Sequence, residues 1–164
     1  MNDNYTEADC VQCLPVQDDQ MVRVLRVIDG DSILISFIRD NVPQKLILRV
    51  YGIDSPELHS KNETERAKAI ECKLVMERMI GENRFIQLKH VKLDKFGGRI
   101  VADASCGSIS SIAAYMIENS CSREYFGTKK ASWHFDNKEE SELKPKTILR
   151  KLSDTVKRKV SKLF

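Results

Sequence analysis

The chain has 164 residues, 41% of them hydrophobic and 31% charged, with a formal net charge of +3. That length suits one domain with a buried core, and no stretch reaches the roughly 18 apolar residues a membrane helix needs. The first twenty residues hold five acids, no Lys or Arg and no apolar run, which excludes a signal peptide and leads us to expect an intracellular, cytoplasmic protein.

Taken in chain order, residues 1–20 read as an acidic, disordered segment. It contains a lone CxxC, Cys10 and Cys13, with no second ligand pair near it, so chance outweighs a zinc site. Five scattered cysteines in all do not form a secreted disulfide framework. Three strands follow: Val22–Ile28, Ile33–Ile38 and Leu46–Tyr51. A reversal at Asp29-Gly30-Asp31 joins the first two, and a turn at Asn41-Val42-Pro43 precedes the third.

From 63 to 80 the period changes to that of a helix. Ala69, Cys72, Val75, Met76, Met79 and Ile80 share one stripe, and Gly81 stands where a helix stops. Cys72 on that stripe reads as a small buried hydrophobe. Phe85–Leu88 and Arg99–Ala102 are two further strands. Ile109, Ile112, Ala113, Met116 and Ile117 then predict a second helix, with Ser108 available to cap it. Five short strands with a helix between the third and fourth predict an α+β fold: a five-stranded Greek-key barrel of the OB type with packed helices.

We place the domain at 21–140. Residues 141–164 form a linker and a basic tail, in which 144–164 carry eight Lys/Arg against Asp154 alone. Leu149, Leu152, Val156, Val160 and Leu163 make one helical stripe there, flanked by Arg150, Lys151, Lys157, Arg158 and Lys162. Such a helix can dock on the barrel or a partner protein, track nucleic acid, or lie on an anionic membrane. Docking or a partner helix carries somewhat more weight.

Acids and arginines concentrate at three element ends: Asp29-Gly-Asp-Ser32, Arg49 with Asp54-Ser-Pro-Glu57, and Asp94 to Arg99. In phosphodiester hydrolysis at neutral pH a hard cation held by oxygen ligands can polarise the phosphoryl oxygen and acidify water, and Asp31 and Asp54 are suited to hold one if their strand ends adjoin. A carboxylate outside the metal shell can position or deprotonate water, and Glu57 is the candidate. Charge building on the phosphoryl oxygens suits planar guanidinium groups, here Arg49 and Arg99. Each segment alone has a plainer reading. Asp29-Gly30-Asp31 is a common turn, the Asp54 segment can cap a helix, and Arg49 can simply reach solvent from an edge strand.

Together, Val27-Ile-Asp-Gly-Asp-Ser32, Leu48-Arg-Val-Tyr-Gly-Ile-Asp-Ser-Pro-Glu57 and Asp94-Lys-Phe-Gly-Gly-Arg-Ile-Val-Ala102 resemble the signature segments of the staphylococcal nuclease-like (thermonuclease-like) domain family. The resemblance runs through the second helix to Trp133. It implies a Ca²⁺-dependent hydrolase, an endonuclease or exonuclease that leaves 3′-phosphate and 5′-hydroxyl ends on DNA or RNA. Little base preference and a liking for single strands are implied too.

By the same resemblance, Asp31, Asp54 and the Ser55 carbonyl hold the metal, and Glu57 activates water. Arg49 and Arg99 bind phosphate, and Lys95, Phe96 and Tyr125 contact substrate. Ser32 and Ser55 stand where the family usually has Thr, and Phe96 where the type enzyme has Tyr. An extra glycine at Gly97-Gly98 puts the reach of Arg99 in question. The rival reading is an inactive nucleic-acid- or protein-binding module of the same fold. A monomer is expected.

Overall fold

A computed structural model describes residues 16–82, 84–94, 98–127 and 132–133. Strands β1 (Met21–Val27), β2 (Ser32–Arg39), β3 (Val42–Val50), β5 (Phe85–Leu93) and β6 (Arg99–Ser105) close a barrel in the order β1-β2-β3-β6-β5. A short β4 (Gly52–Asp54) pairs with β7 (Arg123–Tyr125) in a separate two-stranded ribbon. Helix α1 (Glu63–Ile80) precedes β5, and helix α2 (Ile112–Glu118) follows β6. The expected α+β barrel with two helices is therefore present, and its strand order is compatible with an OB-type barrel. No helix among the described residues is long and apolar enough to cross a membrane.

Alternation decides which side chains fill the barrel. On β3, Leu48 and Val50 are buried inside, while Ile47 and Arg49 face outward and are half-covered. On β6, Ile100, Ala102 and Ala104 point in, and Arg99 and Val101 point out. Ile33, Ile35, Ile86 and Leu88 complete the interior with no exposed surface. Burying each such side chain contributes about 1.5–3 kcal/mol. The outer wall of β3 and β6, with its arginines, is thus left for other work.

The β4–β7 ribbon was not expected, β5 and β6 run on past Leu88 and Ala102 to Leu93 and Ser105, and three further boundaries differ from the sequence reading. The second turn is at Asp40-Asn41, both at positive φ (52° and 61°), so Val42 and Pro43 belong to β3. Two consecutive left-handed residues make the tight reversal that matches strand twist. Pro43 is tolerated because β6 joins β3 only from Ile47 onward. Helix α2 begins three residues late, with Ser111 rather than Ser108 accepting from the Ala114 N–H. The cause is a tight turn that bridges Cys106 to Ile109 around Gly107 at φ 57°.

The third boundary is at the start. Val16 is fully buried, the Asp18 carboxylate accepts from the Val91 N–H, and the Asp19 backbone N–H donates to the Leu88 carbonyl. Residues 16–20 therefore pack on β5 rather than belonging to a disordered leader. Cys10, Cys13 and the basic tail lie outside the described residues.

Helix α1 matches its expected span. Asn62 caps it, accepting from the Thr64 and Glu65 N–H groups, and Gly81 ends it at φ 60°. Cys72 is buried as expected. Its thiol is pushed upward by a hydrogen bond to Cys121 and by burial, which leaves it inert as a nucleophile.

Candidate active site

The first hairpin loop begins the site. Asp31 is only 3% exposed, and its N–H donates to Asp29 Oδ1 at 3.0 Å. Gly30 has a packing role here rather than a left-handed one. A Cβ at Gly30 would lie 2.8 Å from Ser55 Cβ and 3.1 Å from Cys72 Cβ. The loop is thus pressed between the Asp54–Glu57 segment and α1, which brings two of the three acidic segments together.

Asp31 is held from three sides. Its Oδ1 accepts from Ser32 Oγ and from Arg49 Nη1, each at 2.8 Å, and its Oδ2 accepts from the Ser55 N–H at 3.0 Å. Burial nonetheless dominates and pushes its carboxyl up to about 6, with the Asp29 charge adding to the rise. Arg49, Ser32 and Ser55 pull the other way without cancelling it.

Arg49 settles the question raised by an arginine in an apolar strand. Its side chain is 16% exposed and ion-paired, not reaching freely for solvent. Nη2 lies 3.6 Å from Asp54 Oδ1 and donates to the Ile53 carbonyl at 3.4 Å. One guanidinium therefore spans both acids proposed as metal ligands.

A cleft of about 730 Å³ opens against this outer wall. Asp31, Arg49, Ser55, Glu57, Arg99 and Tyr125 all line it, so six sequence-predicted residues from separate stretches of chain converge. Glu57 is exposed at the cleft, where its backbone N–H donates to Glu65 Oε1 at 3.1 Å. Arg99 is ion-paired through Nε with Asp94, two groups at the base of the β5–β6 turn. Asp54 is fully buried and does not line the cleft. Lys95 and Phe96 lie outside the described residues.

Several cleft residues were missed from sequence. Tyr51 and Phe126 meet edge-on with ring centroids 5.8 Å apart, and Lys92 Nζ stands 5.9 Å from the Tyr51 ring centre. All three line the cleft beside Tyr125. Phe126 is 62% exposed, a signal that only the surface reveals. These exposed rings present flat apolar faces to the cleft beside a positive charge.

Arg123 was missed as well. The ribbon register places it directly opposite Asp54, and its Nη2 donates to Asp54 Oδ2 at 2.9 Å.

Among the described residues, no group of three or more His, Cys, Asp or Glu side chains could hold a metal on its own. Asp31 and Asp54 nevertheless fit a hard divalent cation by donor type. Such cations are commonly bound through one or two carboxylates, with water and a substrate phosphate completing the shell. No protein-family model matches the chain, and no curated protein matches it.

Proposed function

We propose that the chain is a divalent-cation-dependent nuclease of the staphylococcal nuclease-like type, hydrolysing DNA or RNA phosphodiesters with little sequence preference to 3′-phosphate and 5′-hydroxyl ends. The observation carrying this reading is the convergence of Asp31, Arg49, Glu57 and Arg99 on one cleft that also presents Tyr51, Lys92, Tyr125 and Phe126. Acids, phosphate-binding guanidinium groups and stacking rings in one groove suit a nucleic-acid backbone better than a small neutral ligand.

Asp31 and Asp54 would hold the cation, taken as Ca²⁺ from the family resemblance. When bound, it polarises the phosphoryl oxygen and lowers the pKa of water. Glu57, exposed at the cleft, orients the attacking water and takes its proton. Arg49 is pre-aimed by Asp31, and Arg99 by Asp94, so neither guanidinium must be ordered when charge develops on the phosphoryl oxygens. Tyr51 and Phe126 stack bases without reading them, which favours single-stranded substrate.

The test is cleavage of single-stranded DNA in Ca²⁺ and in EDTA, with end-group analysis. Metal-stimulated cleavage leaving 3′-phosphates is expected; a folded protein inert in both conditions removes the proposal. One observation favours a second reading, a binding module without catalysis: Asp54 is closed off from the cleft and paired with Arg123. Metal-independent binding of the same DNA without turnover would select it.

A further inference from the structure

Arg123 is gripped from three sides. Besides the 2.9 Å bond to Asp54 Oδ2, its Nη1 donates to the Ser132 carbonyl at 3.1 Å, and the Trp133 ring lies 4.3 Å from its guanidinium carbon. The Asp54 carboxylate is 1% exposed and the arginine side chain 30%. Near Asp54, then, two buried carboxylates meet two guanidinium groups, those of Arg49 and Arg123. Their formal charges cancel. A divalent cation is drawn to a net negative site, so a guanidinium has to give up its hold on a carboxylate before the cation binds well.

The two arginines differ in how readily they can do this. Arg49 is bound at 2.8 Å to Asp31 and is the more buried of the pair. Arg123 has a second set of anchors, an aromatic face and a backbone carbonyl, that can keep its charge satisfied away from Asp54. On this basis, and resting on the cation site of the proposed nuclease, we propose that Arg123 is a positioning residue that serves as an internal counter-cation for Asp54. It competes with the divalent cation for that carboxylate, and Trp133 and Ser132 form the seat to which it withdraws. A cation arriving at Asp54 is thereby linked to the segment at 132–133.

The experiment is calorimetric titration of the full metal-free chain with Ca²⁺ alone, for wild type, Arg123→Gln and Arg123→Lys. Removing a positive charge at hydrogen-bond distance from a ligand carboxylate, screened by partial exposure, is expected to tighten Ca²⁺ binding about tenfold. Arg123→Lys, which keeps the charge, should stay close to wild type. Equal or weaker Ca²⁺ affinity in Arg123→Gln overturns the proposal, since a merely structural ion pair would lower affinity when cut. If Arg123→Gln does not fold, Trp133→Leu is titrated instead. Loss of the seat should then weaken Ca²⁺ binding relative to wild type, and unchanged affinity overturns the proposal. Wild-type cleavage of single-stranded DNA in Ca²⁺, run alongside, separates the two failures. Cleavage with no effect of Arg123→Gln sinks only the competition, whereas neither Ca²⁺ binding nor cleavage sinks the nuclease reading with it.

Discussion

The β2–β3 hairpin carries an arginine–aspartate pair at each end, and the two pairs have little else in common. At the tip, Arg39 and Asp40 are 3.9 Å apart with side chains 52% and 93% exposed. At the base, Arg49 and Asp31 are 2.8 Å apart with 16% and 4% exposed. The tip pair gives up almost no solvation and gains almost nothing, as is usual for exposed ion pairs. The base pair withdraws two charges from water, and the upward push on Asp31 shows that the attraction does not fully repay this. Apolar residues of the same size would serve the fold at least as well at that position. The costly pair stands at the cleft and the inexpensive one away from it, as expected when charge is buried for chemistry.

The contrast can be broken most directly at Arg49. Arg49→Ala should cost about 3–5 kcal/mol in denaturant unfolding, because it strands the buried carboxylate of Asp31. Any residual cleavage should fall by two to three orders of magnitude, on the order of losing one transition-state donor. Stability close to wild type would mean that the pair at the hairpin base resembles the one at the tip. Glu57→Gln sharpens the comparison from the other side. It should lower cleavage by about 10²–10⁴-fold while unfolding changes by less than about 0.5 kcal/mol, as for an exposed residue.

The Asp31 carboxyl gives a pH signature. Its folded value, about 6, lies above the ordinary carboxylate value of 3.8, so the folded chain holds this proton more tightly than the unfolded one. Its favourable contribution is complete below about 3.8 and is lost as pH rises through about 6. In EDTA, the unfolding free energy of wild type relative to Asp31→Asn should therefore fall by about 2–3 kcal/mol between pH 4 and pH 7. A flat difference, measured by denaturant titration at each pH, would show that Asp31 ionises as it does in water.

Gly30→Ala is expected to cost about 1–3 kcal/mol by overpacking against Ser55 and Cys72, read as a lowered melting temperature. At the bottom of the scale, Arg39→Ala should shift unfolding by less than about 0.5 kcal/mol and leave cleavage untouched.

Much of the barrel and half of the site could be read from the chain because the signals were local. An apolar run directly after the Asp29-Gly30-Asp31 reversal marked Ile33–Ile38 as a strand, a 3.6-residue stripe and Gly81 bounded α1, and the acids clustered at strand ends. What escaped notice depends on pairing between distant segments. Arg123 follows α2 as an ordinary charged residue until β7 aligns with β4 and sets it across from Asp54. Phe126 becomes a cleft residue only when its ring meets Tyr51. Val16 sits in an acid-rich stretch whose composition suggests disorder, and a single apolar side chain seated on the core outweighs it. The turn at Asp40-Asn41 was misplaced because Pro43 draws attention as a breaker, whereas consecutive positive φ angles do the turning.

The parallel pairing of β3 with β6 matches Ile47 to Arg99 and Arg49 to Val101. Both arginines therefore leave the same outer face, one strand apart and two residues out of step. With neighbouring strands about 4.8 Å apart and about 3.3 Å of rise per residue, their backbone origins are separated by roughly 8 Å. Hydrogen bonds of the ladder set that interval, so changes in loop length leave it untouched. A slip of one residue would instead turn one guanidinium into the barrel. The sheet thus acts as a gauge block, fixing the span between two cationic groups while the loops around it remain free to vary.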